Sequence, residues 1–169
     1  MSKALVLACG NSLRGDDGVA LEVVNYLRKD YCDPAAEFRC QQQWTPELAE
    51  PISQSQVVIF VDAAVGAPPG LIACRQLQPS PGATLTSTHH TSMHHTSMHQ
   101  TSTHHTSPEF LLHLAEEVYG KRPARAYCVT ITGESFELQE ALSDAVRDAI
   151  PRSAEQIKAL LFEFAMPGD

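Results

Sequence analysis

The stretch that decides the fold is Lys3–Lys29, KALVLACGNSLRGDDGVALEVVNYLRK. Lys3 to Cys9 is an almost unbroken apolar run, the pattern of a strand covered on both faces, and it stops at Gly10-Asn11. Beyond the loop, Val19, Leu21, Val23, Val24 and Leu27 recur at helical spacing up to about Lys29. Strand, glycine-rich loop and helix thus follow in order, which is where phosphate-binding loops sit. Gly10 and Gly15 even have the separation of the two glycines of a P-loop. Asp16-Asp17 stands where that loop needs Lys-Ser/Thr, however, and two carboxylates repel a polyphosphate. The loop is suited to a cation, and one aspartate of the pair is expected to cap the helix.

The same alternation continues outward. A second strand is expected at Glu37 to Gln43, then a short helix launched by Thr45-Pro46-Glu47, with Thr45 as its cap. Gln56 to Asp62 (QVVIFVD) is β-branched and apolar and reads as a central strand with Asp62 at its carboxyl end. Leu71 to Leu77 reads as another. A helix runs from Pro108 to about Tyr119, with Ser107 as cap and Gly120 just past its end. Ala124 to Thr132 supplies a further strand, and Gly133 to Leu142 a loop. From Ser143 a helix is expected, interrupted or kinked at Pro151. Strands alternating with helices imply an α/β layered domain with a mostly parallel sheet of about five strands, whose ligands sit outside the carboxyl ends of those strands.

At 169 residues the chain has the length of a single domain spanning 1–169. Its 12 Lys plus Arg against 20 Asp plus Glu leave a net charge of -8, which repels a phosphate backbone and argues against nucleic acid as a partner. No apolar run is long enough to span a bilayer and the amino end lacks a signal-peptide layout, so a cytoplasmic protein is expected. The five cysteines are scattered and contain no C-x-x-C pair, which favours reduced thiols over a disulfide framework or a thiolate zinc site. The eight histidines are the unusual feature, since all lie between His89 and His113.

Residues 86–105 divide into four five-residue units, TSTHH, TSMHH, TSMHQ and TSTHH. A period of five matches neither the strand repeat of 2 nor the helix repeat of 3.6, so regular structure did not set it. Tandem expansion of one unit inside a surface loop is the simplest account. Two readings stay open: a tolerated polar insertion, or clustered imidazoles that hold a divalent ion such as Ni²⁺ or Zn²⁺. A ligand must be preorganised, which favours the end pinned by the helix start at Ser107-Pro108. His104 is therefore preferred over His105, with His89 and His90 as alternatives because the first and last units are identical. Asp16-Asp17, Asp62 and such a histidine would bring two oxygen ligands and one nitrogen ligand from three loops, leaving open positions on a first-row metal for substrate.

The segments LVLACGNSLRGDDGVA, TPELAEPISQSQVVIFVDAAV, HHTSPEFLLHLAEEVYG and VTITGESFELQEALSDAV, in that order, resemble the hydrogenase maturation proteases, endopeptidases that trim the carboxyl-terminal extension of the [NiFe] hydrogenase large subunit. The resemblance covers nearly the whole chain outside the repeat. It implies a three-layer α/β sandwich around a twisted, mainly parallel sheet, and a site that engages nickel. By motif position it assigns the metal-ligand roles to Asp17, Asp62 and His104, with His105 beside them, and it leaves Asp16 or a metal-bound water to assist attack. Nickel would arrive with the large-subunit precursor as the recognition element, and other divalent ions could occupy the site in vitro. One departure is Gln41-Gln42-Gln43-Trp44-Thr45, where many members carry Asp-Gly-Gly. The competing expectation is a nickel-storage accessory protein with a histidine-rich loop and no peptidase activity.

Overall fold

Every residue of β1 (Ala4–Cys9) is buried, and its apolar side chains divide by parity between two cores. Ala4, Val6 and Ala8 enter one and Leu5 and Leu7 the other, because successive strand residues point to opposite faces of a sheet. The computed structural model describes residues 4–80 and 106–165. It repeats this division on β3 (Val57–Val65), where Val57, Ile59 and Val61 join the first core and Val58 and Phe60 the second. A slip of one residue would exchange the two sets, so double-sided burial fixes the register. Each fully buried Leu, Ile or Phe contributes roughly 1.5–3 kcal/mol of transfer free energy to that choice.

With β2 (Ala36–Gln41), β4 (Ile72–Gln76) and β5 (Arg125–Gly133), the sheet has the order β2-β1-β3-β5-β4. β1 runs parallel to β2 and β3, and β3 parallel to β5; β4 is antiparallel at one edge. Helices α1 (Val19–Asp30) and α4 (Asp144–Ala165) cover the first face, α2 (Ala49–Ser53) and α3 (Pro108–Tyr119) the second. The result is a three-layer α/β sandwich with a five-stranded, mostly parallel sheet, as the alternation of elements implies. Helix α3 starts and stops as its sequence requires. Ser107 Oγ accepts from the Phe110 N–H at 3.1 Å, Pro108 occupies the first turn, and Gly120 closes the helix at φ 64°.

Four local expectations are corrected. Neither Asp16 nor Asp17 caps α1: both lie in a 3-10 turn, Gly15–Gly18, and the cap position is Gly18, with no side-chain bond. Thr45 gives no side-chain cap to the 3-10 turn Pro46–Leu48. Helix α4 continues through Pro151 without a break. Ala149 on one side of the proline and Ala154, Ile157 and Leu161 on the other are buried in the same core, which holds both halves to the sheet despite the missing backbone donor. Strand β3 does not end at Asp62 but runs three residues further, to Val65. Among the described residues no helix is long and apolar enough to cross a membrane.

Candidate functional site

The chain leaves β1 through α1 on one face of the sheet toward β2, and leaves β3 by way of β4 and α3, on the other face, toward β5. The adjacent strands β1 and β3 therefore send their connections in opposite directions. That is the topological switch point of an open α/β sheet, where a crevice forms outside the carboxyl ends of the strands. Pairing of β1 with β3 stops at Ala8–Val61, while β3 stays paired with β5 as far as Val65–Gly133. Asp62 is the first β3 residue past the end of that ladder, so it faces the crevice from within a continuous strand.

The β1–α1 loop folds back over the same crevice. Asp17 Oδ2 accepts the Asn11 N–H at 2.9 Å, and Asn11 Oδ1 accepts the Leu13 N–H at 2.9 Å. The fold-back packs Gly10 against the backbone of Asp17 so closely that a Cβ there would lie 1.9 Å from the Asp17 carbonyl oxygen. Asp17 remains partly exposed at this rim.

Asp16 has a different task. It is 0% exposed, and its carboxylate accepts from the N–H groups of Glu134 (2.7 Å), Ser135 (3.0 Å) and Ser143 (2.7 Å) and from the Ser143 hydroxyl (2.9 Å). Burial pushes its pKa up, but these donors outweigh burial and hold the carboxyl below its usual value. Every donor comes from the segment between β5 and α4. Asp16 thus ties two loops together, and four donors already occupy the carboxylate that the sequence offered as an assistant to attack.

Asp62 is tuned the other way. Burial raises its pKa to about 7 against the donated Ala63 N–H (2.8 Å) and a hydrogen bond from the Trp44 side chain, and the negative charge of Asp17 adds to the rise. The Cys9 thiol, at the end of β1, is pushed up to about 12 by burial first and then by the charges of Asp62 and Asp17. It keeps its proton at neutral pH. The charge of Asp17 thus bears on a largely buried Asp62 carboxyl, the setting in which a nearby cation would favour the ionised form.

Asp17 and Asp62 lie near enough for the charge of Asp17 to act on the Asp62 carboxyl. His104 and His105, expected to complete the set, lie outside the described residues, as do His89 and His90. Among the described residues no group of three His, Cys, Asp or Glu side chains is arranged to hold a metal. Cys9 was not anticipated at the site. Parity gives Cys9 away, since it follows Leu5 and Leu7 on one face of β1. Nothing local announces the approach of Trp44 to Asp62, which depends on the path from β2 to α2. A cavity of about 210 Å³ lies at the other end of the sheet, lined by Gln76, Leu77, Arg122 and Arg125 among others, far from this chemistry.

Solved structures with the same arrangement include the hydrogenase maturating endopeptidase HybD from Escherichia coli, at 23% identity and a TM-score of 0.68 over 95% of this chain and 93% of that one. The fold is that of the hydrogenase maturation endopeptidases. A hydrogenase 2 maturation peptidase from a Thaumarchaeota archaeon matches at 22% identity, TM-score 0.64, over 94% of this chain and 97% of that one. The [NiFe] hydrogenase maturation protease HycI from Thermococcus kodakarensis matches at 20% identity, TM-score 0.65, over 95% and 92%. No protein-family model and no curated protein matches the chain.

Proposed function

We propose that the protein is an endopeptidase that removes the carboxyl-terminal extension of a [NiFe] hydrogenase large-subunit precursor once nickel has been inserted. The observation that carries this reading is the convergence of Asp17 and Asp62 at the switch-point crevice, in a fold shared with maturation endopeptidases. The nickel belongs to the substrate. Bringing a cation between the two carboxylates relieves their mutual repulsion, so a metal-loaded precursor is bound better than an empty one. An imidazole from His104, or from its neighbour His105, is the proposed third contact. With these side chains on the ion, the tail beside it is held at a fixed distance from the protein, and the ion polarises the scissile carbonyl for attack by water. Asp16 contributes by holding the β1–α1 loop in place. All five cysteines are unpaired, in keeping with work in the reducing cytoplasm.

The test is to incubate the protein with nickel-loaded and nickel-free precursors and to follow loss of the short tail by mass. Cleavage confined to the loaded form is expected. Asp17→Asn, Asp62→Asn and His104→Ala should each lose it while remaining folded. Unaltered processing by all three variants would refute the assignment. Uptake of several nickel ions with no cleavage of either precursor would instead favour the storage reading, which the clustering of eight histidines between His89 and His113 supports.

A further inference from the structure

Trp44 is the single tryptophan of the chain, and it joins β2 to the 3-10 turn before α2. Its ring stands edge-on to Phe60, with centroids 5.3 Å apart and planes at 85°. Phe60 and Asp62 lie on the same face of β3, two residues or about 7 Å apart along the strand. An indole seated on Phe60 spans that step and brings its N–H toward the Asp62 carboxylate, whose charged form it favours. The backbone of Trp44 approaches the Cys9 thiol, at the end of the neighbouring strand. Asp62 accepts a second N–H, from Ala63, on Oδ1 at 2.8 Å. The carboxylate is thus held by its own strand and faced by a side chain that packs on the same strand.

We infer that Trp44 is a positioning residue whose indole N–H, seated on Phe60, sets the orientation in which Asp62 meets the metal ion borne by the substrate. The inference rests on the proposed peptidase reading and deepens it. Groups that orient a metal-binding carboxylate from behind act through preorganisation, and their removal typically weakens the metal contact by 10- to 100-fold. A purely structural role for Trp44 would lie in its packing against Phe60, which phenylalanine can largely reproduce. Hence Trp44→Phe separates the two roles, since it keeps an aromatic ring and deletes the donor.

With nickel-loaded precursor, Trp44→Phe should lower kcat/KM roughly tenfold or more, mainly through KM, while its thermal midpoint stays near that of the parent. Kinetics equal to the parent's would overturn the inference. The second measurement uses the parent fold: in a ¹H–¹⁵N spectrum the lone indole cross-peak should move upfield in Asp62→Asn, because a charged acceptor is replaced by a weaker neutral one. A cross-peak that does not move overturns the inference even if Trp44→Phe fails to fold. Should the parent protein process no precursor, the peptidase reading falls, and the cross-peak still decides whether Trp44 holds Asp62.

Discussion

At the scale of single residues, two adjacent aspartates with the same chemistry have opposite duties because one is saturated with donors and the other is not. Replacing Asp16 by Ala strands three backbone N–H groups and a hydroxyl in a buried site. With each orphaned donor costing about 1–3 kcal/mol, a loss of roughly 3 kcal/mol or more is expected, read as a lower urea midpoint. Asp17→Asn keeps an acceptor for Asn11 and should leave that midpoint nearly unchanged. The two pKa shifts also act on stability with opposite signs. The lowered pKa of Asp16 contributes stability above the unfolded value near 3.9, lost as pH falls through the folded pKa. Asp62, raised to about 7, holds a proton in the folded state that the unfolded chain releases above about pH 4. Stability therefore declines between about pH 4 and 7 on its account. Asp62→Asn should melt higher than the parent at pH 8, with the difference closing as pH is lowered to 4; a constant gap would show that Asp62 is not the titrating group.

At the scale of elements, the site depends on how the β1–α1 loop closes on itself. Gly10 is required by close approach, since the Asp17 backbone fills the space a side chain would occupy. Gly10→Ala should displace Asp17, lowering the thermal midpoint by several degrees and abolishing processing together; retained processing would show that the loop tolerates another path. The loop is latched to the segment after β5 by Gly15 N–H to Gln139 O (2.6 Å), Asp16 N–H to Ser135 O (2.9 Å) and Gln139 N–H to Leu13 O (3.0 Å). None of these partners has a local signature, because they are more than a hundred residues apart in the chain. Helix α3, by contrast, was legible to the residue, since Ser107, Pro108 and Gly120 are local signals obeyed by local geometry.

At the scale of the whole molecule, residues 86–105 stand out in sequence as four units of one five-residue pattern. Deleting residues 91–105 leaves one TSTHH unit directly before Thr106-Ser107-Pro108, so His89 inherits the sequence position of His104. Loop-closure entropy changes slowly with length, about 0.6 kcal/mol per doubling. The shortened protein is expected to keep its thermal midpoint and its processing and to lose any nickel uptake beyond one ion. Loss of processing with folding intact would tie the reaction to the expanded tract itself. Alternating apolar segments determined the strands, their double-sided burial and the layered α/β class, because burial patterns are written into consecutive residues. They also brought Asp17 and Asp62 to one end of the sheet, since loops after parallel strands share an edge. Only the tertiary structure decided that Asp16 is a buried tie, that Asp62 lies just past the last β1–β3 pair within a longer strand, and that Trp44 approaches it. Those outcomes depend on which distant backbone donors and ring faces arrive nearby, and no stretch of sequence carries that information by itself.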